Sequence, residues 1–272
     1  MIKEQFAPEM DRTPEGWIDM GSDAKLRKEM FFPPDVMSHP AKMNLYMAQA
    51  MIDYVADPGE IIMDPFGGTG TTMIAALQGI RVILLEIEDG YHELQCQARE
   101  EMEMMYPNTA GLVTLLKGDN RFLMPIPVHH AMTSPPYSTA MKVKNVRKLK
   151  DGAKDDWLVQ MDKQMADYCK SDRNISNLNS FLYTRAMEKI YTLMYQSVLP
   201  GGTVSINTKD RIVGGKRQLL SEWVFRVFDS LGAERVGHFK FKAMGSGFTK
   251  IARSQGKNVV DEEDVMVFRK PE

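Results

Sequence analysis

The chain has 272 residues, a formal net charge of −2 and 43% hydrophobic residues, enough for one large α/β domain with its own core but too balanced for a strongly basic coat. Every apolar run falls short of the roughly 18 residues a membrane span requires, and nothing resembles a signal peptide, so no membrane partner is expected. Cys96 and Cys169 have no metal-ligand spacing and the five histidines form no zinc pattern, which predicts a reduced, cytoplasmic setting and no metal.

Residues 1–37 mix prolines, charges and isolated aromatics without a sustained period. They read as an N-terminal arm that docks on the core, with Phe31 and Phe32 as anchors. From His39-Pro40-Ala41-Lys42-Met43 the pattern predicts a helix to about Ala56, with Leu45, Ala48, Met51, Ile52 and Val55 on one face. An apolar run (Ile61, Ile62, Met63) then predicts a strand over 60–66, which ends in Asp64-Pro65-Phe66-Gly67-Gly68-Thr69-Gly70-Thr71-Thr72. Glycines let a ligand approach the backbone, and a helix predicted over 70–78 completes a strand, glycine loop and helix, the order of a cofactor cradle.

Arg81–Glu88 reads as a buried strand that ends in acids. Glu86, 19 residues beyond Gly67, stands where nucleotide-binding α/β sheets hold ribose hydroxyls, and Glu88 competes with it for that role. A helix over 89–105 and a strand over 112–117 lead to Gly118-Asp119-Asn120, where Asp119 also reads as a helix N-cap.

The next strand runs through Ala131 and Met132 into Thr133-Ser134-Pro135-Pro136-Tyr137. Two consecutive prolines can neither continue a sheet ladder nor enter a helix interior, so the chain leaves the strand in a stiff loop. Ser134 Oγ and the Pro135 carbonyl can accept the two hydrogens of a planar amino group while Tyr137 stacks on its ring. Asp-Pro-Phe-Gly-Gly-Thr-Gly followed by Ser-Pro-Pro-Tyr resembles the S-adenosylmethionine-dependent amino-methyltransferases of DNA, over most of the chain from about His39 onward.

That resemblance implies a Rossmann-like class I methyltransferase fold, a mainly parallel seven-stranded sheet with an antiparallel edge hairpin. It implies cofactor contacts from His39, Lys42, Asp64, Phe66, Gly67, Gly68, Gly70, Thr71, Thr72 and Glu86, with Asp119 near the adenine amino group and Asn120 beside it. Catalysis would fall to Ser134, Pro135, Pro136 and Tyr137. The expected partner is double-stranded DNA, with the target base flipped out of the stack as in DNA methylation by restriction-modification enzymes. Serine at the first motif position favours cytosine N4 over adenine N6. RNA bases, a protein glutamine amide and a catalytically silent nucleic-acid-binding protein are the other readings. Neither cysteine follows a proline, so the Pro-Cys loop of ring-carbon cytosine methyltransferases is missing.

Residues 138–178 lack a clean period and read as an insertion carrying Lys142, Lys144, Arg147, Lys148 and Lys150. The cluster is either a solvated face or a set of phosphate contacts. Beyond it the pattern predicts a helix over 180–198 stopped by Pro200-Gly201-Gly202, a strand over 203–208 and a helix over 216–231. Strand-like pieces at 235–242 and 264–269 follow, the antiparallel hairpin of one edge. The 22 methionines read as adaptable core filler.

Overall fold

The computed structural model describes residues 2–38, 42–136, 171–213, 215–243, 253–256 and 258–272. Tyr137, the five basic residues at 142–150 and His39 lie outside these residues, as does most of the region read as an insertion.

Strands β1 (Asp11–Arg12), β2 (Ile18–Asp19), β3 (Ile61–Asp64), β4 (Arg81–Glu86), β5 (Val113–Lys117), β6 (Val128–Thr133), β7 (Val198–Thr208), β10 (Glu234–Lys242) and β11 (Glu262–Arg269) form one sheet. Its order is β1-β2-β10-β11-β7-β6-β3-β4-β5. The block β7-β6-β3-β4-β5 is parallel, and β11 lies antiparallel to both β7 and β10, giving the expected edge hairpin. The sheet has nine strands rather than seven, because the two short arm strands extend it: β2 meets β10 at Ile18 and Phe241. Strands β8 (Arg211–Val213) and β9 (Lys216–Gln218) form a separate hairpin.

Side chains alternate between two buried faces, as a parallel sheet covered on both sides requires. Ile62, Met132, Val265 and Val267 point to one core with α2 (Leu45–Val55) and the 3-10 turn Thr71–Gln78. Met63, Ala131, Met266 and Phe268 point to the other, with α5 (Ser180–Ser197) and α6 (Leu220–Ser230). Phe228 stacks on Phe268 there with ring centroids 4.2 Å apart. Helices α1 (Ala24–Glu29), α3 (Asp89–Met105) and α4 (Asn120–Leu123) complete the set. Arm residues Phe6, Phe31, Phe32 and Val36 are buried in the first core.

Four elements depart from expectation. Helix α2 begins at Leu45, because the Asn44 side chain caps it by accepting from the Tyr46 N–H at 2.8 Å; Lys42 and Met43 precede the helix. The segment after the glycine loop is tightened to 3-10 geometry over Thr71–Gln78. Pro200-Gly201-Gly202 does not separate helix from strand: β7 follows α5 directly and runs through it. Gly202 is required at that irregular register, since a Cβ there would stand 2.1 Å from the His129 carbonyl oxygen. Finally, the region expected as the start of a helix at 216 is β9; Asp210 accepts from the N–H groups of Leu220 at 2.8 Å and Ser221 at 3.3 Å and sets the later helix start.

Candidate active site

Strand order reverses between β3 and β6, so a crevice opens at their carboxyl ends. Asp64 ends β3 and Thr133 ends β6, and the Thr133 hydroxyl donates to Asp64 Oδ1 at 2.8 Å. Asp64 also accepts from the Thr72 hydroxyl at 2.7 Å and the Phe66 N–H at 3.0 Å. Burial pushes its carboxyl up while those three donors pull it down. Asp64 therefore ties the glycine loop to the strand that delivers Ser134. Around it, Phe66, Gly67, Gly68, Thr71, Lys42, Glu86, Asp119, Asn120, Ser134 and Pro136 share one pocket of about 820 Å³, open mouth included.

Gly67 passes so close to β4 and α3 that a Cβ would stand 2.7 Å from Gln95 Nε2 and 3.3 Å from the Leu85 carbonyl oxygen. Its neighbour Gly68 is held from both sides: its N–H donates to Glu86 Oε2 at 2.7 Å, and its carbonyl accepts from Gln95 Nε2 at 2.8 Å. Gly70 and Thr72 do not line the pocket; they shape the turn from behind.

The two acids at the end of β4 have different employment. Glu86 accepts from the N–H groups of Gly68, Ile87 and Glu88, with the latter two on Oε1 at 2.9 and 2.8 Å. Burial nevertheless pushes its carboxyl up to about 7, helped by the Glu88 charge. Glu88 instead accepts from the Ser171 N–H at 3.0 Å and Asn174 Nδ2 at 2.7 Å, anchoring the segment that brings Arg173, Asn174 and Ile175 over the pocket. Asp119 caps α4 by accepting from the Arg121 N–H at 3.0 Å; burial pushes it up, but the Arg121 guanidinium and N–H hold it below the usual range. Asn120 Nδ2 donates to the Pro65 carbonyl at 2.8 Å, joining this corner to the Asp-Pro-Phe turn.

At the opposite end, buried Arg27 of α1 donates to Asp23 Oδ2 at 2.8 Å, the Met43 carbonyl at 2.7 Å and Thr71 Oγ1 at 3.2 Å. Thr71 accepts there, so its own proton is available for the pocket. Lys42 donates to the Met37 carbonyl at 3.2 Å, and burial together with the nearby Arg27 charge lowers its pKa.

Beside the pocket, Ser134 Oγ accepts from Asn207 Nδ2 at 3.4 Å. Asn207 Nδ2 faces Glu263 Oε2 at the same distance, and a carboxylate can only accept, so the amide orientation is fixed. Asn207 is almost wholly buried, and its Oδ1 has no hydrogen-bond partner among the described residues. The buried Tyr183 hydroxyl donates to the Pro136 carbonyl at 2.6 Å and stiffens the loop from α5. Pro135 is buried between these contacts.

Sequence reasoning passed over Arg27, Gln95, Asn174, Tyr183 and Asn207. Two of them carried a signal. Asn207 stands near the carboxyl end of its strand, where α/β sheets place ligands. Gln95 shares its helix face with Ala98 and Met102, a polar residue on a buried stripe.

Residues 14–98 match the DNA methylase family of N6 and N4 methyltransferases. This span holds part of the arm, the glycine loop and Glu86 but stops short of Ser134. Over 55 residues the chain is 40% identical to YubD of Escherichia coli (strain K12), which carries the name of a methylase; the match spans 20% of this chain and 24% of that protein. Two solved structures share the fold. A methyltransferase from Pyrococcus furiosus superposes with a TM-score of 0.54 at 14% identity, over 92% of this chain and 95% of its own. TrmN from Thermus thermophilus superposes with a TM-score of 0.52 at 15% identity, over 86% of this chain and 52% of its own. The fold is thus the class I methyltransferase fold, and the matches support an amino-methyltransferase family, whose cofactor is S-adenosylmethionine. Among the described residues no helix is long and apolar enough to cross a membrane.

Proposed function

We propose that this chain transfers a methyl group from S-adenosylmethionine to an exocyclic amino nitrogen of a DNA base, with cytosine N4 the favoured target. The observation that carries the reading is the junction of the two motifs. One hydrogen bond, from Thr133 to Asp64, joins the glycine cradle to the loop of Ser134 and Pro135. The match to a DNA methylase family supports DNA as the substrate.

The pocket suits the cofactor on two counts. Gly67 packs its backbone tightly against Gln95 and Leu85, which sets the position of the glycine loop at the pocket wall. Its polar groups sit at separate ends: Glu86 to accept from ribose hydroxyls, Asp119 for an adenine amino group, and Lys42 with Thr71 for a carboxylate. When bound, S-adenosylmethionine supplies an electrophilic methyl group on a sulfonium.

An exocyclic amine is a weak nucleophile because its lone pair is delocalised into the ring. Ser134 Oγ and the Pro135 carbonyl accept its two N–H bonds and stabilise positive charge as it develops on nitrogen. With Asn207 occupying one side of Ser134 Oγ, one acceptor position of that oxygen remains for the amine. The loop held by Tyr183 and Asp64 supplies orientation, an effect that can reach roughly 7–11 kcal/mol for well-placed reactants. Tyr137 is the residue that would replace lost stacking on a base flipped out of a duplex.

The test is transfer of tritiated methyl groups from the cofactor into unmethylated duplex DNA, total RNA and protein extract, with digestion of the labelled nucleic acid to nucleosides. N4-methylcytosine in DNA is the expected product. N6-methyladenine would move the target to adenine, and label confined to RNA or protein would overturn the reading.

A further inference from the structure

The excursion between β7 and α6 has no part in the site described above. It begins one residue after β7 ends, with Asn207 at the Ser134 wall, and folds back as the β8–β9 hairpin with Arg211 opposite Gln218 and Val213 opposite Lys216. Over residues 209–218 the cations are Lys209, Arg211, Lys216 and Arg217, and the acid is Asp210. That bias stands out in a chain whose net charge is −2.

The charges are sorted by depth. Asp210 is buried and accepts from Arg217 Nε at 2.9 Å, while Arg217 Nη2 reaches buried Glu262 at 2.5 Å. Next to them Asp264, fully buried, receives Lys240 at 2.9 Å and His238 at 2.7 Å. Acids thus lie beneath the hairpin, with Lys209 and Arg211 half-buried at its start. Arg217 acts as the anchor, and Lys216 is exposed on the strand that carries it. Arg211 Nε donates to Gln218 Oε1 at 2.7 Å across the hairpin, and its charge opposes the upward push that burial gives the Tyr183 hydroxyl. Tyr183 is the residue that holds Pro136.

We propose that the β8–β9 hairpin is a phosphate-binding ribbon that grips duplex DNA beside the base slot, through Lys209, Arg211 and Lys216. The inference rests on the DNA reading above and adds where the duplex backbone lies. A base delivered to Ser134 carries its flanking phosphates past the carboxyl end of β7, where this ribbon projects. Phosphate contacts of this kind fix register and orientation without reading sequence. Their signature is salt dependence, because each neutralised phosphate releases counterions.

The experiment measures binding of a fluorescein-labelled 20-base-pair duplex by anisotropy between 50 and 300 mM salt, for the wild type and for Lys209→Gln/Lys216→Gln. Two lost phosphate contacts should flatten the slope of log K against log salt by about 1.8. Arg211→Gln should flatten it by about 0.9 more. Affinity for S-adenosylhomocysteine, measured by calorimetry on the same samples, should stay at the wild-type value, which separates a lost contact from a misfolded variant. Wild-type binding with an unchanged slope in all variants overturns the ribbon alone. Failure of the wild type to bind the duplex, or stronger binding to RNA of equal length, overturns the DNA reading and the ribbon with it.

Discussion

Glu86 should make cofactor affinity depend on pH near neutrality. Burial raises its carboxyl from an ordinary 4.5 to about 7 in the ligand-free protein, although three backbone N–H groups favour the charged form. At 1.36 kcal/mol per pH unit this is a differential of ~3 kcal/mol. The sign follows from linkage. A carboxyl whose folded pKa is raised contributes stability that is fully present below 4.5 and is lost as pH rises through about 7. A ribose hydroxyl that donates to the acceptor position left on the carboxylate shifts the preference toward the charged form, because hydrogen bonds to that form favour ionisation.

Binding should therefore release a proton when it starts from the protonated state. With a carboxyl of pKa about 7, roughly a tenth of the protein is ionised at pH 6, so S-adenosylhomocysteine should bind about tenfold more weakly there than at pH 8. Calorimetry at pH 6 in buffers of different ionisation enthalpy should show close to one proton released. Glu86→Gln should bind weakly and without this pH dependence. Asp119 is held low by Arg121, while burial lowers Lys42 and raises Asp64, so loss of the pH dependence in Glu86→Gln is what assigns it to Glu86. An affinity flat from pH 6 to 8, with no proton release, would refute Glu86 as the ribose acceptor.

Gly67→Ala should cut S-adenosylhomocysteine affinity at least tenfold, since the new Cβ must displace Gln95 at 2.7 Å and free the Gly68 carbonyl it holds; calorimetry reads this directly. Ser134→Ala should lower kcat about 10²-fold, the scale of losing one transition-state hydrogen bond, with cofactor affinity unchanged. Asn207→Ala should lower kcat less, because it removes only the group that orients Ser134, and single-turnover methylation of duplex DNA distinguishes the two. Thr133→Val should cost about 1–3 kcal/mol by depriving buried Asp64 of a donor, seen as a lower midpoint in denaturant unfolding.

What the sequence discloses is governed by where a contact's partners lie along it. The glycine loop, Glu86 and the Ser-Pro-Pro segment are local signals: each is short, and its backbone consequence follows from residue type alone. The alternation of strand and helix, and the terminal hairpin, follow from periodicity. The contacts that assemble the pocket are of another kind. Arg27 meets Thr71 across 44 residues, Asn120 meets Pro65 across 55, and Asn207 meets Ser134 across 73. None of these pairs has a period, so only the fold reveals them. The misreadings near 216 and 200 share a cause, in that a group outside the window decided the local structure. Asp210 delays α6 to Leu220, and β6, at His129, fixes the glycine of β7 at 202. Glu86 and Glu88 make the point most sharply. Both are acids at the end of one strand, and sequence placed Glu86 at the sugar with Glu88 as its competitor; what divides them in the fold is that Ser171 and Asn174, 83 and 86 residues later, fold back onto Glu88. Glu86 is instead held at the glycine loop by the Gly68 N–H, which is why the proposed ribose contact is assigned to it.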